Sequence, residues 1–184
     1  MTTKLFGERV PRVEDPKLLS GRGHYLDDLG HDALAAAFVR SPHAHARVTD
    51  IDVSGALDVD GLVAVYTYDD LEGPVGDPLP LLIPHPALTS PRVGYPLVRD
   101  VVQHVGEAVV MVVARDRYAA EDAAGRVLVS YEPLPPVVGV AAARAATLAV
   151  HDDVPDNVSA HMLQQVGDVE SAMAAAPHRL RLDL

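Results

Sequence analysis

One valine-rich run and the segments that follow it give the clearest pattern of apolar and polar positions along the chain. Glu107 to Ala114 reads Glu-Ala-Val-Val-Met-Val-Val-Ala. A continuous β-branched stretch of that length predicts a strand buried on both faces. Asp116 to Ala124 then reads as a helix. Asp116 suits its cap, Tyr118, Ala119 and Ala123 are expected to share a face, and Gly125 ends it. Arg126 to Tyr131 returns as a strand, with Val127 and Val129 on one side and Leu128 and Ser130 on the other. Pro133, Pro135 and Pro136 close it. This strand–helix–strand unit, at about 107–131, is the strongest local signal.

Upstream, Gly61 to Tyr68 is rich in β-branched and aromatic residues and predicts a strand. Thr67 stands three residues before Asp70, a capping arrangement for a short helical turn through Leu71. Arg47 to Val53 alternates imperfectly and predicts another strand. Ala33 to Val39 fits a strand or a short helix by periodicity; Phe38-Val39 and the following Ser41-Pro42 favour a strand. Residues 1–30, broken by Pro11, Pro16, Gly21, Gly23 and Gly30, read as an arm or packed loop without helix. Glu72 to Pro96 holds seven prolines in 25 residues and predicts one long loop.

Downstream, Ala141 to Ala146 fits one or two helical turns, and Val150 to Gln165 reads as a linker or surface excursion. Gly167 and Asp168 open a helix over Val169 to Ala176, closed by Pro177. His178 to Leu184 alternates Leu180, Leu182 and Leu184 with charged residues. That is a strand pattern whose apolar face needs a cover.

Composition narrows the function classes. Lys and Arg number 15 against 26 Asp and Glu, a net charge of −11. So acidic a chain repels nucleic acid and anionic membrane surfaces. Cysteine is absent, which excludes disulfides, thiolate catalysis, iron–sulfur ligation and Cys-type zinc sites within these residues. The longest apolar run, Ala108 to Ala114, falls far short of the roughly 20 residues that span a bilayer. No secretory pattern opens the chain, so a cytoplasmic location is expected.

The candidate chemistry is thin. His43 and His45 have the spacing that puts two imidazoles on one strand face, but no third ligand matches them. Two locally bonded loop histidines is the preferred reading. The pairs Asp27-Asp28, Asp69-Asp70 and Asp152-Asp153 read as turn formers and caps, because adjacent residues of an extended chain point opposite ways. Gly21-Arg22-Gly23 lacks the third glycine, preceding strand and following helix of a dinucleotide loop, and reads as a turn. Ser20, Ser41, Ser54, Ser90, Ser130, Ser159 and Ser171 sit in no nucleophile elbow. No catalytic, cofactor-binding or metal-binding residue is therefore assigned.

Five blocks, in order, resemble the amino-terminal part of molybdenum hydroxylase large subunits, the family of xanthine dehydrogenase, aldehyde oxidase and aerobic carbon monoxide dehydrogenase. They are Gly21-Arg22-Gly23-His24-Tyr25-Leu26-Asp27-Asp28; Phe38 through Ala46, with its Arg40-Ser41-Pro42-His43-Ala44-His45; Gly61 through Thr67 with Asp70-Leu71; Val105-Gly106-Glu107 through Ala124, continuing to Tyr131-Glu132-Pro133-Leu134-Pro135; and Gly167-Asp168-Val169-Glu170 with Ala172 and Ala176. Ala108 after Glu107, Gln103-His104, Gly125-Arg126 and Gly139 depart from the family's commoner residues.

The resemblance implies an α+β fold of the α/β hammerhead type. The expected form is a mixed sheet carrying the unit at about 107–131, an N-terminal arm and a C-terminal helix–strand extension. The expected domains are an arm over 1–19, the hammerhead over 20–140, and a linker with the start of a molybdopterin-binding region over 141–184. The function implied is that of a non-catalytic structural piece of a molybdopterin-dependent oxidoreductase, inactive alone. It binds no cofactor itself, while the molybdenum cofactor belongs to the full-length subunit. The implied partners are the rest of the large subunit and the iron–sulfur and flavin subunits; a homo-oligomer through the C-terminal strand stays open. The alternative is a free-standing ligand-binding or interaction module using the Pro-rich 72–96 loop.

Overall fold

The computed structural model describes residues 7, 9–26, 33–81 and 83–182. The chain forms two compact units, residues 1–34 and 35–184.

The described part of the first unit corrects the expectation of no helix: Asp15–Leu19 forms a short one, α1. Pro16 lies in the first turn, where a missing N–H breaks no intrahelical bond. The end is a Schellman motif. Arg22 N–H donates to the Lys17 carbonyl (2.8 Å) and Gly21 N–H to that of Leu18 (3.1 Å). Gly21 takes the left-handed conformation this requires, at φ +67°.

Among its described residues the second unit holds six strands: β1 Ala35–Arg40, β2 Ala46–Asp52, β3 Leu62–Tyr66, β4 Val101–Val102, β5 Ala108–Ala114 and β6 Leu128–Pro133. They form two three-stranded sheets, ordered β1-β5-β3 and β4-β2-β6. Successive strands alternate strictly between the sheets. Every pairing among the described residues is antiparallel, so the α+β class stands while the expected mixed sheet is corrected to antiparallel sheets. The predicted strand–helix–strand unit forms as β5, α3 (Arg117–Ala124) and β6, but its strands lie in different sheets. The reason is edge occupancy: β1 and β3 already flank β5, so β6 pairs with β2 instead.

The apolar pattern explains the core. Val109, Val110 and Val112 of β5 are fully buried and pack with Val102, Ala56, Ala123 and Val127. Helix α3 lies close on the first sheet because alanines meet there: Ala119 and Ala120 against Ala114, Ala35 and Ala37. Its buried face is Ala119, Ala120 and Ala123. Tyr118 is 83% exposed, contrary to the shared face expected of it. It precedes Ala123 by five residues, which is ~140° around the helix. Asp116 caps α3 as expected, its carboxylate accepting from Ala119 N–H at 2.9 Å.

Three further helices are short: α2 Ser54–Leu57, α4 Val140–Ala145 and α5 Val169–Ala175. Asp168 caps α5, accepting from Ser171 N–H at 3.0 Å. The expected C-terminal strand does not form over the described residues His178 to Leu182, and Leu180 and Leu182 stand exposed. Alternation supplies a face, but a strand also needs an edge to pair with, and among the described residues no strand pairs with this segment. Leu184 lies outside the described residues.

Candidate functional site

Two places gather polar side chains. One is the turn from β1 to β2. Ser41 is its buried polar anchor, 2% exposed. Its hydroxyl accepts from His43 N–H (3.0 Å) and donates to the His43 carbonyl (3.2 Å). Its main chain is held too: Ser41 N–H donates to the Glu107 carbonyl and the Ser41 carbonyl accepts from Gly106 N–H. Tyr131 reaches the same hydroxyl, and burial pushes its phenol above the usual range. The His43 ring packs on Tyr131 with centroids 4.9 Å apart. His45 Nδ1 lies 2.9 Å from the Pro135 carbonyl, which can only accept, so Nδ1 carries the proton. The His43 ring thus packs on Tyr131 while the His45 ring bonds the main chain just after β6.

The other place is an open cleft of about 610 Å³ beside β4. Its walls include Arg92, Tyr95, Arg99, Gln103, Glu107 and His151. The loop from β4 to β5 shapes it. Gly106 turns that loop at φ +86°. The Glu107 carboxylate, 16% exposed, reaches back to accept from Gln103 N–H at 2.6 Å. Gln103 Oε1 has no exposed surface and no hydrogen-bond partner.

The cleft's cations are engaged. Arg92 pairs with Asp153. Arg99 bonds Tyr95, which holds its guanidinium more firmly protonated. Arg99 also lies 3.5 Å from Asp100 and 5.8 Å from the Tyr68 ring centroid.

The Pro-rich loop is tied down. Thr89 and Ser90 N–H groups donate to the Ser159 carbonyl, and His161 N–H donates to that of Ala87. The stretch expected as a linker, Val150 to Gln165, is therefore partly a packing partner of the loop. Its hub is Asn157, in left-handed conformation at φ +57°. Asn157 Oδ1 accepts from Val150 N–H, while Nδ2 donates to the Leu148 and Ala143 carbonyls.

The remaining candidates resolve as local structure. Asp70 accepts from Thr67 N–H (2.7 Å) and Oγ1 (2.8 Å), closing the turn at Tyr68–Asp70. Asp153 serves the Arg92 pair. Gly21 stops a helix. Asp27-Asp28 lies outside the described residues. Among the described residues, no three His, Asp or Glu side chains gather as a metal site, and no helix is long and apolar enough to cross a membrane. Gln103, Glu107 and Asn157 were not singled out by sequence reasoning as polar anchors. The Gly106-Glu107 turn was the one available signal.

Residues 20–135 match the family described as aldehyde oxidase and xanthine dehydrogenase, a/b hammerhead domain. The chain belongs to this family of oxidoreductase large subunits. It is 39% identical over 180 residues to the nicotine 6-hydroxylase large subunit of Paenarthrobacter nicotinovorans, covering 97% of this chain and 22% of that protein. Quinoline 2-oxidoreductase from Pseudomonas putida 86 superposes with a TM-score of 0.66 at 36% identity, over 78% of this chain and 18% of that one. The Cu,Mo-CO dehydrogenase in its carbon monoxide reduced state gives 0.57 at 39%, over 72% and 16%. The chain spans about a fifth of the length of these relatives.

The residues present do not fit a molybdopterin group. Among the described residues, both guanidiniums of the cleft lie beside carboxylates, which leaves no free cationic cradle for a phosphate in that cleft, and the N-terminus of α3 is occupied by its own Asp116.

Proposed function

We propose that this chain is a structural domain of a molybdenum hydroxylase large subunit, inactive alone, which packs against the molybdenum-binding remainder of that subunit. The molybdenum cofactor belongs to that remainder, and the redox partner subunits join the same assembly in the cytoplasm.

One observation carries this reading: the outer face of the first sheet. Phe38, Met111 and Tyr66 pair across its three strands. Ala36, Val113 and Ala64 form the next row. Phe38 is 41% and Tyr66 37% exposed. Arg40 lies over the Phe38 ring, 5.3 Å from its centroid, while donating to the Gly106 carbonyl. The opposite face of this sheet is filled by α3 and the core. An apolar sheet face with Arg40 at its margin fits an interface.

The test is co-purification. The chain is mixed with separately expressed polypeptide comprising the rest of the nicotine 6-hydroxylase large subunit. The expected result is a stable complex, and no oxidation of nicotine or quinoline by the chain alone with a dye acceptor. Turnover by the isolated chain, or no association, overturns the reading.

A further inference from the structure

The cleft beside β4 has one wall that the packing of the domain leaves unused. Strand β4 is the edge of the second sheet, paired only with β2. Val48 N–H donates to the Asp100 carbonyl at 2.9 Å, and the register pairs Ala46 with Val102. In an antiparallel ladder, alternate residues turn their main-chain groups to opposite sides. Val101, between Asp100 and Val102, therefore turns its N–H and carbonyl away from β2. Neither group has a partner among the described residues, and Val101 lines the cleft.

The same wall carries a second unpaired group. Gln103 is two residues further along the edge, and its Oε1 is buried without a donor. Buried polar atoms in folded proteins are nearly all paired. Gln103 N–H is not available to an incoming chain, because Glu107 occupies it. The edge thus offers one donor and one acceptor at Val101, with a buried amide oxygen at Gln103 that a side-chain rotation would present, and pairing ends at Glu107. That is a short, terminated strip of strand edge. The cleft volume, about 610 Å³, lies within the size range of binding pockets.

We infer that the cleft receives an extended segment of the rest of the large-subunit polypeptide, which adds to β4 as a short strand. Main-chain pairing at Val101 fixes its register, and Gln103, turning its side-chain amide outward, accepts a hydrogen bond from it. The occupant is polypeptide rather than a small anion because the free groups are main-chain donor and acceptor, while both guanidiniums are already paired. The rest of the subunit is the source because this chain accounts for only 22% of its relative's length. This inference rests on the proposed assembly and names a second contact within it.

The experiment is amide hydrogen exchange, read at Val101, on the chain alone and in complex with the same remaining polypeptide of the nicotine hydroxylase subunit. Exchange at Val101 is expected to slow by at least about tenfold in the complex. Two variants accompany it. Val101→Pro removes the outward N–H at an edge position where proline is tolerated. Gln103→Ala removes the side-chain acceptor. Each is expected to weaken association by roughly tenfold while the isolated chain melts as the wild type does. If Val101→Pro misfolds, the wild-type exchange and Gln103→Ala still decide. A complex that forms with Val101 exchanging as fast as in the free chain overturns the inference and leaves the proposed function intact. No complex at all overturns both.

Discussion

The Glu107 carboxylate accepts a 2.6 Å hydrogen bond from the main-chain N–H of Gln103. This bond closes the loop between β4 in one sheet and β5 in the other. It comes from a side chain with little exposure, so water does not easily replace it.

Glu107→Ala should therefore leave a donor unpaired and destabilise the domain by about 1–3 kcal/mol. Glu107→Gln keeps an acceptor and should cost less than half as much. Urea denaturation of both variants checks this; equal losses would show that the bond itself is unimportant.

Asn157 should be similarly sensitive, and in an informative way. Asn157→Ala loses both the left-handed preference and three hydrogen bonds, with an expected cost of about 2 kcal/mol. Asn157→Asp keeps the acceptor for Val150 N–H and loses the two donations, so it should fall between. The observable is the melting midpoint, together with faster amide exchange at Thr89 and His161.

The strand and tail contrast is a third test. Val112 is fully buried, and Val112→Ala should cost about 2–3 kcal/mol from lost burial and the cavity left behind. Leu182 is 68% exposed and outside any strand. Leu182→Ala should change stability by less than about 0.5 kcal/mol. A large loss at Leu182 would restore the strand that its alternating pattern suggests.

Acid should act partly through the cap of α3. The main-chain N–H of Ala119, and then the Arg115 guanidinium, hold the Asp116 carboxyl below its usual value. A carboxyl lowered on folding contributes stability above its unfolded value of about 3.9, and that contribution is lost as pH falls through the lower folded value. Asp116→Asn keeps a good cap but has nothing to titrate. Its melting temperature should match the wild type more closely at pH 3 than at pH 7. Parallel pH curves for the two proteins would contradict this.

Much of the fold was legible because its signals are local. The valine run of β5, the Asp116 cap with its alanine helix, and the Thr67–Asp70 turn each follow from a few adjacent residues. What was not legible depends on edges. The sequence pattern makes β5 and β6 look like neighbours, yet β1 and β3 take both sides of β5. The alternation that begins at Leu180 looks like a strand, but over the described residues to Leu182 no strand forms. The cleft was hidden for the same reason: Val101 is an ordinary valine until its place at the end of the sheet is known. Gly21-Arg22-Gly23 shows the reverse case, where reading a turn in place of a dinucleotide loop matches the Schellman end of α1.

The outer face of the first sheet allows the most direct test of the central claim. Phe38→Glu combined with Tyr66→Glu places two charges on the Phe38–Met111–Tyr66 row and leaves the opposite, α3-covered face untouched. Affinity for the molybdenum-binding part of the 39%-identical relative, the nicotine 6-hydroxylase large subunit, measured by sedimentation, should fall at least about thirtyfold, while circular dichroism stays that of the parent. Unchanged affinity in a well-folded double variant would contradict the claim that this face seats the domain in its subunit.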